Sequence, residues 1–289
     1  MSTTYTSFAV FGGGRVGLPI VEEFARRQVS VVLFSRPGSA TKKTVPAGVE
    51  IVELDFSDVN KISAALQQRG VQVVLSTIGV AAAVSQNKAI VDAAKLAGVK
   101  LFVPAEYGLT TEGQTEGPLG DKREVAGKCS IDYLKATGIP AVQFYNGLFI
   151  EFIPWLTGFP EDPKMRVIGK GETPISFTAI IDVAGFVAHV LTTLPSAELG
   201  NRIFRIEGER ASLKELAKRF NATVEYVDRV QGEMGEVKTV IGVALDSGSG
   251  STGWDVVNKR EGTGVDAAGS ANLLWPGHQW KTIKEVLNL

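Results

Sequence analysis

Short apolar runs alternate with amphipathic stretches over the first half of the chain. The apolar runs are short enough for buried strands and cover residues 8–11, 29–34, 49–54, 71–75, 101–103 and 141–144. Between them, apolar residues recur with helical spacing over residues 16–28, 57–69, 81–97 and about 121–136. Strands and helices that alternate at this spacing predict right-handed βαβ units around a parallel sheet.

The pattern changes after residue 147. Residues 148–159 are rich in aromatic side chains, and residues 247–270 hold many Gly and Ser residues, which predicts a surface loop or mobile segment. Further strands are predicted at 174–181 and 203–206, and helices at 182–194, 212–220 and 280–289.

These elements predict an α/β protein with a Rossmann-type, doubly wound parallel sheet and a smaller C-terminal substrate lobe. The Rossmann domain is expected to span residues 1–147 and the substrate-binding lobe residues 148–289, with about 175–206 completing the main sheet.

The strongest motif is a glycine-rich turn at Gly12, Gly14 and Gly17, which has the G-x-G-x-x-G form. It directly follows the first strand and opens the first helix, the context in which this pattern indicates dinucleotide binding. Such glycines permit a tight turn, close approach of the backbone to a pyrophosphate, and close packing of helix and strand. The alternative is that these glycines have only a structural role in the turn.

The end of the second strand indicates which dinucleotide binds. NAD-binding folds usually place an acidic residue there, but this chain has Ser35 and Arg36. Ser35 can donate to a 2′-phosphate, and Arg36 can pair with it and stack on adenine. We therefore predict NADP(H) rather than NAD(H), against the alternative that Arg36 is only a solvated loop charge.

Ligands of open α/β sheets bind at the carboxyl ends of the strands, where the strand order reverses. Segments in that position are therefore further candidates for cofactor contact. The remaining predicted cofactor-binding residues are Arg15, Val16, Asp55, Phe56, Thr77, Ile78, Gly79, Pro104, Ala105, Glu106 and Tyr145.

Composition excludes several other functions. The 30 basic and 31 acidic residues give a net charge of −1, so no general field for nucleic acid or membrane binding is expected. With one cysteine and two distant histidines, no disulfide and no metal site are expected. Without a recognisable signal or membrane segment, a cytoplasmic protein is expected. A homodimer is left open.

Several motifs carry a family resemblance. The glycine turn, Arg36, the segment Pro104-Ala-Glu-Tyr-Gly108, and Lys128 ahead of Gly138-Ile-Pro140 resemble the isoflavone reductase and NmrA-like group of atypical short-chain dehydrogenases. That group includes phenylcoumaran benzylic ether reductases and pinoresinol-lariciresinol reductases. The resemblance implies that Lys128 is the general acid or base. Two alternatives stay open, namely that Lys128 only binds the nicotinamide ribose, or that it is a solvated helix lysine like its neighbours Lys122 and Lys135.

The catalytic residues of ordinary short-chain dehydrogenases are missing, because no tyrosine is followed four residues later by a lysine. A lysine in an apolar pocket or beside a cationic ring has a lowered pKa, which suits Lys128 to proton transfer. Tyr107 and Asn146 are candidates to orient a substrate oxygen. Phe149, Phe152 and Trp155 are candidates for an apolar wall against an aromatic substrate, or for ordinary core packing.

Two functions follow. The first is an NADPH-dependent reductase that transfers hydride to an aromatic, phenylpropanoid-like small molecule, such as a benzylic ether, lignan or enone. The second is a non-catalytic NADP(H)-sensing regulator that acts through protein–protein contacts, as NmrA-like relatives imply. Lys128 and the aromatic residues favour the enzyme.

Overall fold

The computed structural model describes residues 3–39, 44–78, 83–112 and 128–289. The chain divides into two compact units that interleave along the sequence. Unit 1 comprises Met1–Glu106, Arg123–Gln143 and Ala184–Ile203, and unit 2 comprises Tyr107–Lys122, Phe144–Val183 and Phe204–Leu289. The chain therefore passes between the units several times, whereas the sequence analysis places a single boundary after residue 147.

Unit 1 is built on a five-stranded sheet in the order β3-β2-β1-β4-β5. All four strand pairings in this sheet are parallel. Its strands are β1 (Ser7–Phe11), β2 (Ser30–Ser35), β3 (Glu50–Glu53), β4 (Val73–Ser76) and β5 (Leu101–Val103). A parallel bridge between Phe102 and Ala141 places the chain just before β6 (Val142–Tyr145) beside β5. This order is that of the Rossmann fold, so the predicted fold class is confirmed.

Both faces of this sheet are covered, which explains its continuous apolar runs. On one face, the ring of Phe8 stacks on Phe24 of helix α1 at 4.1 Å. The alternate β1 residues Ala9 and Phe11 belong to the core cluster on the other face. The helices of the first half that the structure describes are α1 (Gly17–Arg26), α2 (Val59–Gln68), α3 (Ala83–Ala97) and α4 (Lys128–Thr137).

The helix predicted over residues 57–69 begins two residues later, at Val59. The Asp58 side chain accepts a hydrogen bond from the Lys61 backbone N–H and caps α2, whereas the sequence analysis assigns the start to Ser57. Both residue types cap helices well, so composition alone does not separate them. The Ser57 backbone N–H instead donates to Asp55 at 3.0 Å.

Unit 2 carries smaller sheets around its own core. The strand β9 (Ile175–Thr178) pairs antiparallel with β11 (Glu209–Ala211) and parallel with β7 (Leu148–Phe149). The strand β8 (Lys164–Val167) pairs parallel with β12 (Thr223–Tyr226). Short strands β13 (Trp254–Asp255) and β14 (Arg260–Glu261) form a hairpin-like pair. The strand β10 (Arg202–Arg205) pairs with β6, and the unit boundary falls within both strands.

The helices after β7 are mostly short. They are α5 (Ile153–Thr157), α6 (Ile180–Thr193), α7 (Leu213–Arg219), α8 (Gly235–Ala244) and α9 (Ile283–Leu287). The apolar helix α6 begins in unit 2 and ends in unit 1. Among the described residues, no helix has both the length and the apolar character needed to cross a membrane.

The prediction of a surface loop over residues 247–270 is wrong for its first part. Ser249, Ser251 and Thr252 are buried in unit 2. The Thr252 backbone N–H donates to the Ser176 hydroxyl at 3.0 Å, and the Ser251 hydroxyl donates to Glu261 at 2.9 Å. Small side chains with satisfied hydroxyls pack inside the unit here, although the same composition is typical of loops.

The carboxyl-terminal segment is held by a buried carboxylate at the start of α6. Asp182, which is 3% exposed, accepts a 2.7 Å hydrogen bond from the Lys281 backbone N–H and lies 3.0 Å from Nε2 of His278. A second carboxylate, Glu151, accepts the Ile180 backbone N–H at 2.9 Å. Burial, followed by a smaller effect of Asp182, raises the pKa of Glu151 above its ordinary value of 4.5.

This raised pKa predicts a pH-dependent stability difference for Glu151→Gln. The contribution of Glu151 is fully present below pH 4.5 and is lost as pH rises through its raised pKa, because ionisation of the buried group is unfavourable. Gln cannot ionise, so the free energy of unfolding of the variant, relative to wild type, should increase as pH rises through that window. Urea denaturation between pH 4 and about 7 would measure it.

Glu215→Gln supplies a control of opposite sign. The Ser212 backbone N–H lowers the pKa of Glu215, so this group stabilises the fold above its ordinary pKa. The free energy of unfolding that Glu215→Gln removes should therefore increase as pH rises. A pH-independent difference for Glu151→Gln would contradict the role assigned to burial.

Candidate functional site

The turn after β1 approaches the end of β4 so closely that there is no room for a side chain at Gly17. A Cβ on Gly17 would lie 1.9 Å from the Gly12 carbonyl oxygen and 2.3 Å from the Thr77 hydroxyl. Gly12 has a φ of +97°, in the region that favours glycine. At both positions, glycine is required by the fold itself.

Gly14 differs from its neighbours in the same turn. It is exposed, and among the described residues no atom would lie within 4 Å of a Cβ added to it. The packing of the protein therefore gives no reason for a glycine here. The open space in front of its backbone is instead the feature expected where a ligand approaches closely.

Thr77 fixes the position of this turn. Its hydroxyl donates to the Gly12 carbonyl at 2.6 Å and lies 3.1 Å from the Phe11 carbonyl, and its backbone N–H donates to Phe11 at 2.9 Å. Thr77 is therefore a structural clamp as well as a predicted cofactor contact. Helix α1 begins directly beyond the clamp, so its N-terminus lies at the carboxyl edge of the sheet, where helix ends favour anions.

The end of β2 presents an exposed arginine. Arg36 is exposed, while Ser35 is fully buried and its hydroxyl lies 2.7 Å from that of Ser39. The Ser39 hydroxyl in turn donates to the Arg36 carbonyl at 2.8 Å. The two serines thus shape the turn that presents Arg36, and no acidic residue ends this strand.

The ends of the other strands lie at the same edge of the sheet. Phe56 is buried and packs edge-on against Phe11 at 5.3 Å. Asp55 is exposed, and the hydrogen bond from the Ser57 backbone N–H lowers its pKa. After β5, the Glu106 backbone N–H donates to the Pro104 carbonyl at 2.8 Å, and the Glu106 side chain is buried.

The remaining predicted cofactor contacts of unit 1 are distributed as follows. Arg15 is exposed, Val16 and Ala105 are half-buried, and Ile78 is buried. Gly79 lies outside the described residues. Lys128 is the first residue of α4, and its side chain lies outside the part of the chain that the structure describes.

Sequence reasoning missed a buried hydrogen bond below this edge. The Ser76 hydroxyl, at the end of β4, donates to the Asn87 amide oxygen of α3 at 2.8 Å, and both side chains are buried. A polar residue within an apolar helix face is the only signal in the sequence. The bond joins β4 to α3 beneath Thr77.

The predicted substrate residues, and Tyr145, belong to unit 2. Tyr145 is fully buried, its hydroxyl lies 3.0 Å from that of Thr111, and the Arg205 guanidinium lies 5.5 Å from its ring centroid. Asn146 is also fully buried. The Tyr107 ring stacks on Phe144 at 6.1 Å.

Among the three predicted aromatic wall residues, Phe152 contacts both of the others. The Phe149 and Phe152 rings meet edge to face at 5.3 Å, as do Phe152 and Trp155 at 6.1 Å. Phe149 is buried, while Phe152 and Trp155 are half-buried against the unit 2 core. Trp155 also borders a cleft of about 700 Å³ and has Lys238 5.2 Å from its ring centroid.

Comparison with known proteins identifies the family. A model of the NmrA-like family matches residues 5–286. This chain belongs to the NmrA-like family. The resemblance inferred from the glycine turn and the later motifs is thereby confirmed.

Two curated relatives of this NmrA-like protein carry names that describe reductases. An isoflavone reductase homolog of Arabidopsis thaliana is 31% identical over 205 residues, which cover 64% of this chain and 64% of that protein. An oxidoreductase of Botryotinia fuckeliana is 32% identical over 222 residues, which cover 71% of each protein.

A solved structure shares the fold of the NmrA-like protein. The binary complex of leucoanthocyanidin reductase with NADPH from Vitis vinifera superposes with a TM-score of 0.74 over 98% of each chain. At 18% identity, this likeness shows the fold alone.

The contrast between Gly14 and Gly17 predicts two separable effects. Gly14→Ala should keep the free energy of unfolding within about 1 kcal/mol of wild type, because the new methyl group meets open space. It should weaken NADPH binding at least about tenfold, because the methyl group keeps a phosphate away from the helix N-terminus.

Gly17→Ala should lower the free energy of unfolding by about 1–3 kcal/mol or more, because its methyl group overlaps a backbone oxygen.

Urea denaturation and isothermal titration with NADPH would measure both effects. Unchanged NADPH affinity in Gly14→Ala would show that the space in front of Gly14 is not a phosphate site.

Proposed function

We propose that this protein is an NADPH-dependent reductase that acts on an aromatic, phenylpropanoid-like small molecule. The observation that carries the proposal is the open backbone of Gly14 at the mouth of α1, beside an exposed arginine and no acid at the end of β2. The reductase and oxidoreductase names of the relatives support the same reaction class.

The residues at the sheet edge fit a phosphorylated dinucleotide. Gly12 and Gly17 have structural reasons to be glycine, so Gly14 is the position whose side chain is left out for a ligand. The backbone N–H groups at the N-terminus of α1 would hold the pyrophosphate. Arg36 would pair with the 2′-phosphate in the bidentate manner that guanidinium groups favour.

When bound, NADPH supplies the hydride. Lys128 would hold the proton that the substrate oxygen takes up, because an ammonium group beside an apolar substrate transfers its proton near neutral pH. The Phe152 ring already contacts those of Phe149 and Trp155 edge to face, and the three rings would pack against an aromatic substrate. The remaining predicted edge residues, such as Asp55 and Pro104, would border the dinucleotide.

The alternative of a non-catalytic NADP(H)-sensing regulator is not favoured. Both curated relatives described above are named as a reductase homolog or an oxidoreductase.

Arg36→Ala tests the choice of dinucleotide. Loss of a charge-assisted hydrogen bond to a 2′-phosphate should cost about 1.5–3 kcal/mol, which is roughly a tenfold to hundredfold loss of NADPH affinity. Affinity for NADH should fall much less, since NADH lacks that phosphate and would lose only the stacking of Arg36 on adenine. Isothermal titration with both dinucleotides would measure the difference.

Arg26→Ala is the matched control, because Arg26 lies in the last turn of α1 and pairs with Glu23. It should bind NADPH as wild type does. If Arg36→Ala retains wild-type preference for NADPH over NADH, the assigned role of Arg36 is wrong.

Lys128→Ala tests the proton-transfer role. Loss of a general acid should lower kcat about 10²-fold to 10⁴-fold. NADPH consumption would be followed with a panel of phenylpropanoid ethers, lignans and enones. Lys135→Ala, in the last turn of the same helix, should keep wild-type turnover.

The Kd for NADPH separates proton transfer from cofactor binding. If Lys128 only binds the ribose, Lys128→Ala should raise this Kd, and Lys128→Arg should recover turnover. Full turnover by Lys128→Ala on a substrate of the wild type would remove Lys128 from the mechanism.

A further inference from the structure

The cleft of about 700 Å³ beside Trp155 is formed entirely by residues of unit 2. One side is helix α5 and the chain that follows it, and another is the strand pair β8 and β12. The third side is the segment from the end of β12 to α8. Clefts of this size hold small organic molecules in other proteins, so its lining indicates what chemistry it would accept.

Part of the lining is apolar and includes a large aromatic ring. Trp155 is half-buried, and its ring meets Phe152 edge to face at 6.1 Å. The Lys238 ammonium lies 5.2 Å from the centroid of the Trp155 ring, which is cation–π geometry and places a positive charge beside this part of the lining. The other apolar lining residues are Pro154, Leu156, Val227 and Val230.

One cation of the cleft is already compensated by the protein. The Arg166 guanidinium lies 2.8 Å from the Asp162 carboxylate and 3.5 Å from that of Glu225. It also lies against Gly158, where an added Cβ would be 2.6 Å from a guanidinium nitrogen. Glu225 is shared with Lys164 at 3.6 Å. Arg166 and Glu225 are therefore part of an ion-pair network that belongs to the wall of the cleft.

The other two cations of the cleft have no such compensation. Among the described residues, neither Arg229 nor Lys238 has a carboxylate oxygen within 4.0 Å. Glu161, which is exposed, is the acidic lining residue that opposes them, and it has no ion pair there either. Two uncompensated cations against one acid favour an anionic ligand. The single excess positive charge suits a carboxylate better than a doubly charged phosphate.

We propose that this cleft binds a small aromatic carboxylate. Its ring would lie against the apolar lining at Trp155, and its carboxylate would pair with Lys238 and Arg229. Flat rings pack well against an indole, and a guanidinium group pairs with a carboxylate in a bidentate manner. The inference goes beyond the proposed function, because no residue of the nucleotide edge lines the cleft and binding requires no dinucleotide.

Three probes separate the contributions of charge and ring. The protein without dinucleotide would be titrated calorimetrically with trans-cinnamate, with trans-cinnamamide, which keeps the ring without the charge, and with hexanoate, which keeps the carboxylate without the ring. Wild type should bind cinnamate at least about tenfold more tightly than either of the other two. Cinnamate affinity should fall as NaCl rises from about 0.05 M to about 0.5 M, because charges that face solvent are screened.

Variants of the two cations test which residues hold the carboxylate. Lys238→Gln and Arg229→Gln should each lower the ratio of cinnamate to cinnamamide affinity towards one, while affinity for cinnamamide stays within about twofold of wild type. Lys238→Arg restores the charge and should recover most of the ratio. Neither position is buried, so these variants should unfold at the wild-type temperature.

Two further variants control for a general effect of charge. Lys218→Gln removes an exposed lysine in the last turn of α7, which does not line the cleft, and should keep the wild-type ratio. Glu161→Gln removes the opposing acid and should raise cinnamate affinity roughly two- to threefold, with no change for cinnamamide.

The proposal is overturned if wild type binds cinnamate no more tightly than cinnamamide or hexanoate, or if Lys238→Gln and Arg229→Gln both keep the wild-type ratio. These outcomes are distinct from the fate of the proposed function. NADPH turnover by a protein that shows no charge-dependent cinnamate binding would leave the reductase intact and remove the carboxylate site. Charge-dependent cinnamate binding without any NADPH turnover would support the site and count against the reductase.

Discussion

The position of the glycine turn at the carboxyl edge of the unit 1 sheet depends on the contacts of the Gly12 carbonyl oxygen. The Thr77 hydroxyl donates to it at 2.6 Å, and the missing side chain of Gly17 allows the first helix to pass beside it. These two contacts fix the turn after β1 to the end of β4 and set where α1 begins. Gly12 and Gly17 are the glycines that this arrangement requires. Gly14, in contrast, is exposed and has open space in front of its backbone.

Buried polar groups without a partner occur in both units, at Arg27 and Gln86 in unit 1 and at three residues of unit 2. At the sheet edge of unit 1, the hydroxyls of Ser35, Ser76 and Thr77 each have a protein partner. A ligand at that edge would therefore be held mainly by backbone N–H groups and by the exposed Arg36. In unit 2, Tyr107, Thr110 and Asn146 retain unpaired atoms.

Elements of the first half could be predicted from sequence because their signals are local. The strands of the parallel sheet are buried on both faces, so β1 and β2 are continuous apolar runs. Gly12 follows the first and Arg36 follows the second. The start of α2 is predicted two residues too early, because Ser57 and Asp58 are both good caps. The segment from Ser249 to Thr252 was misread because its partner Ser176 is distant in sequence. Composition shows that these residues are small and polar. It does not show whether the fold brings a hydrogen-bond partner to them.

The same distinction separates the parts of the candidate site. The glycine turn is readable because its geometry is set by residues within a few positions of one another. The structure adds that Gly12 and Gly17 lie against Thr77, which is 60 or more residues away along the chain. The motif alone does not reveal this contact. Thr110 carries no motif, and only its burial without a partner distinguishes it from any other threonine. Only the folded protein shows such an unpaired group, because a sequence pattern does not record which hydrogen bonds are made.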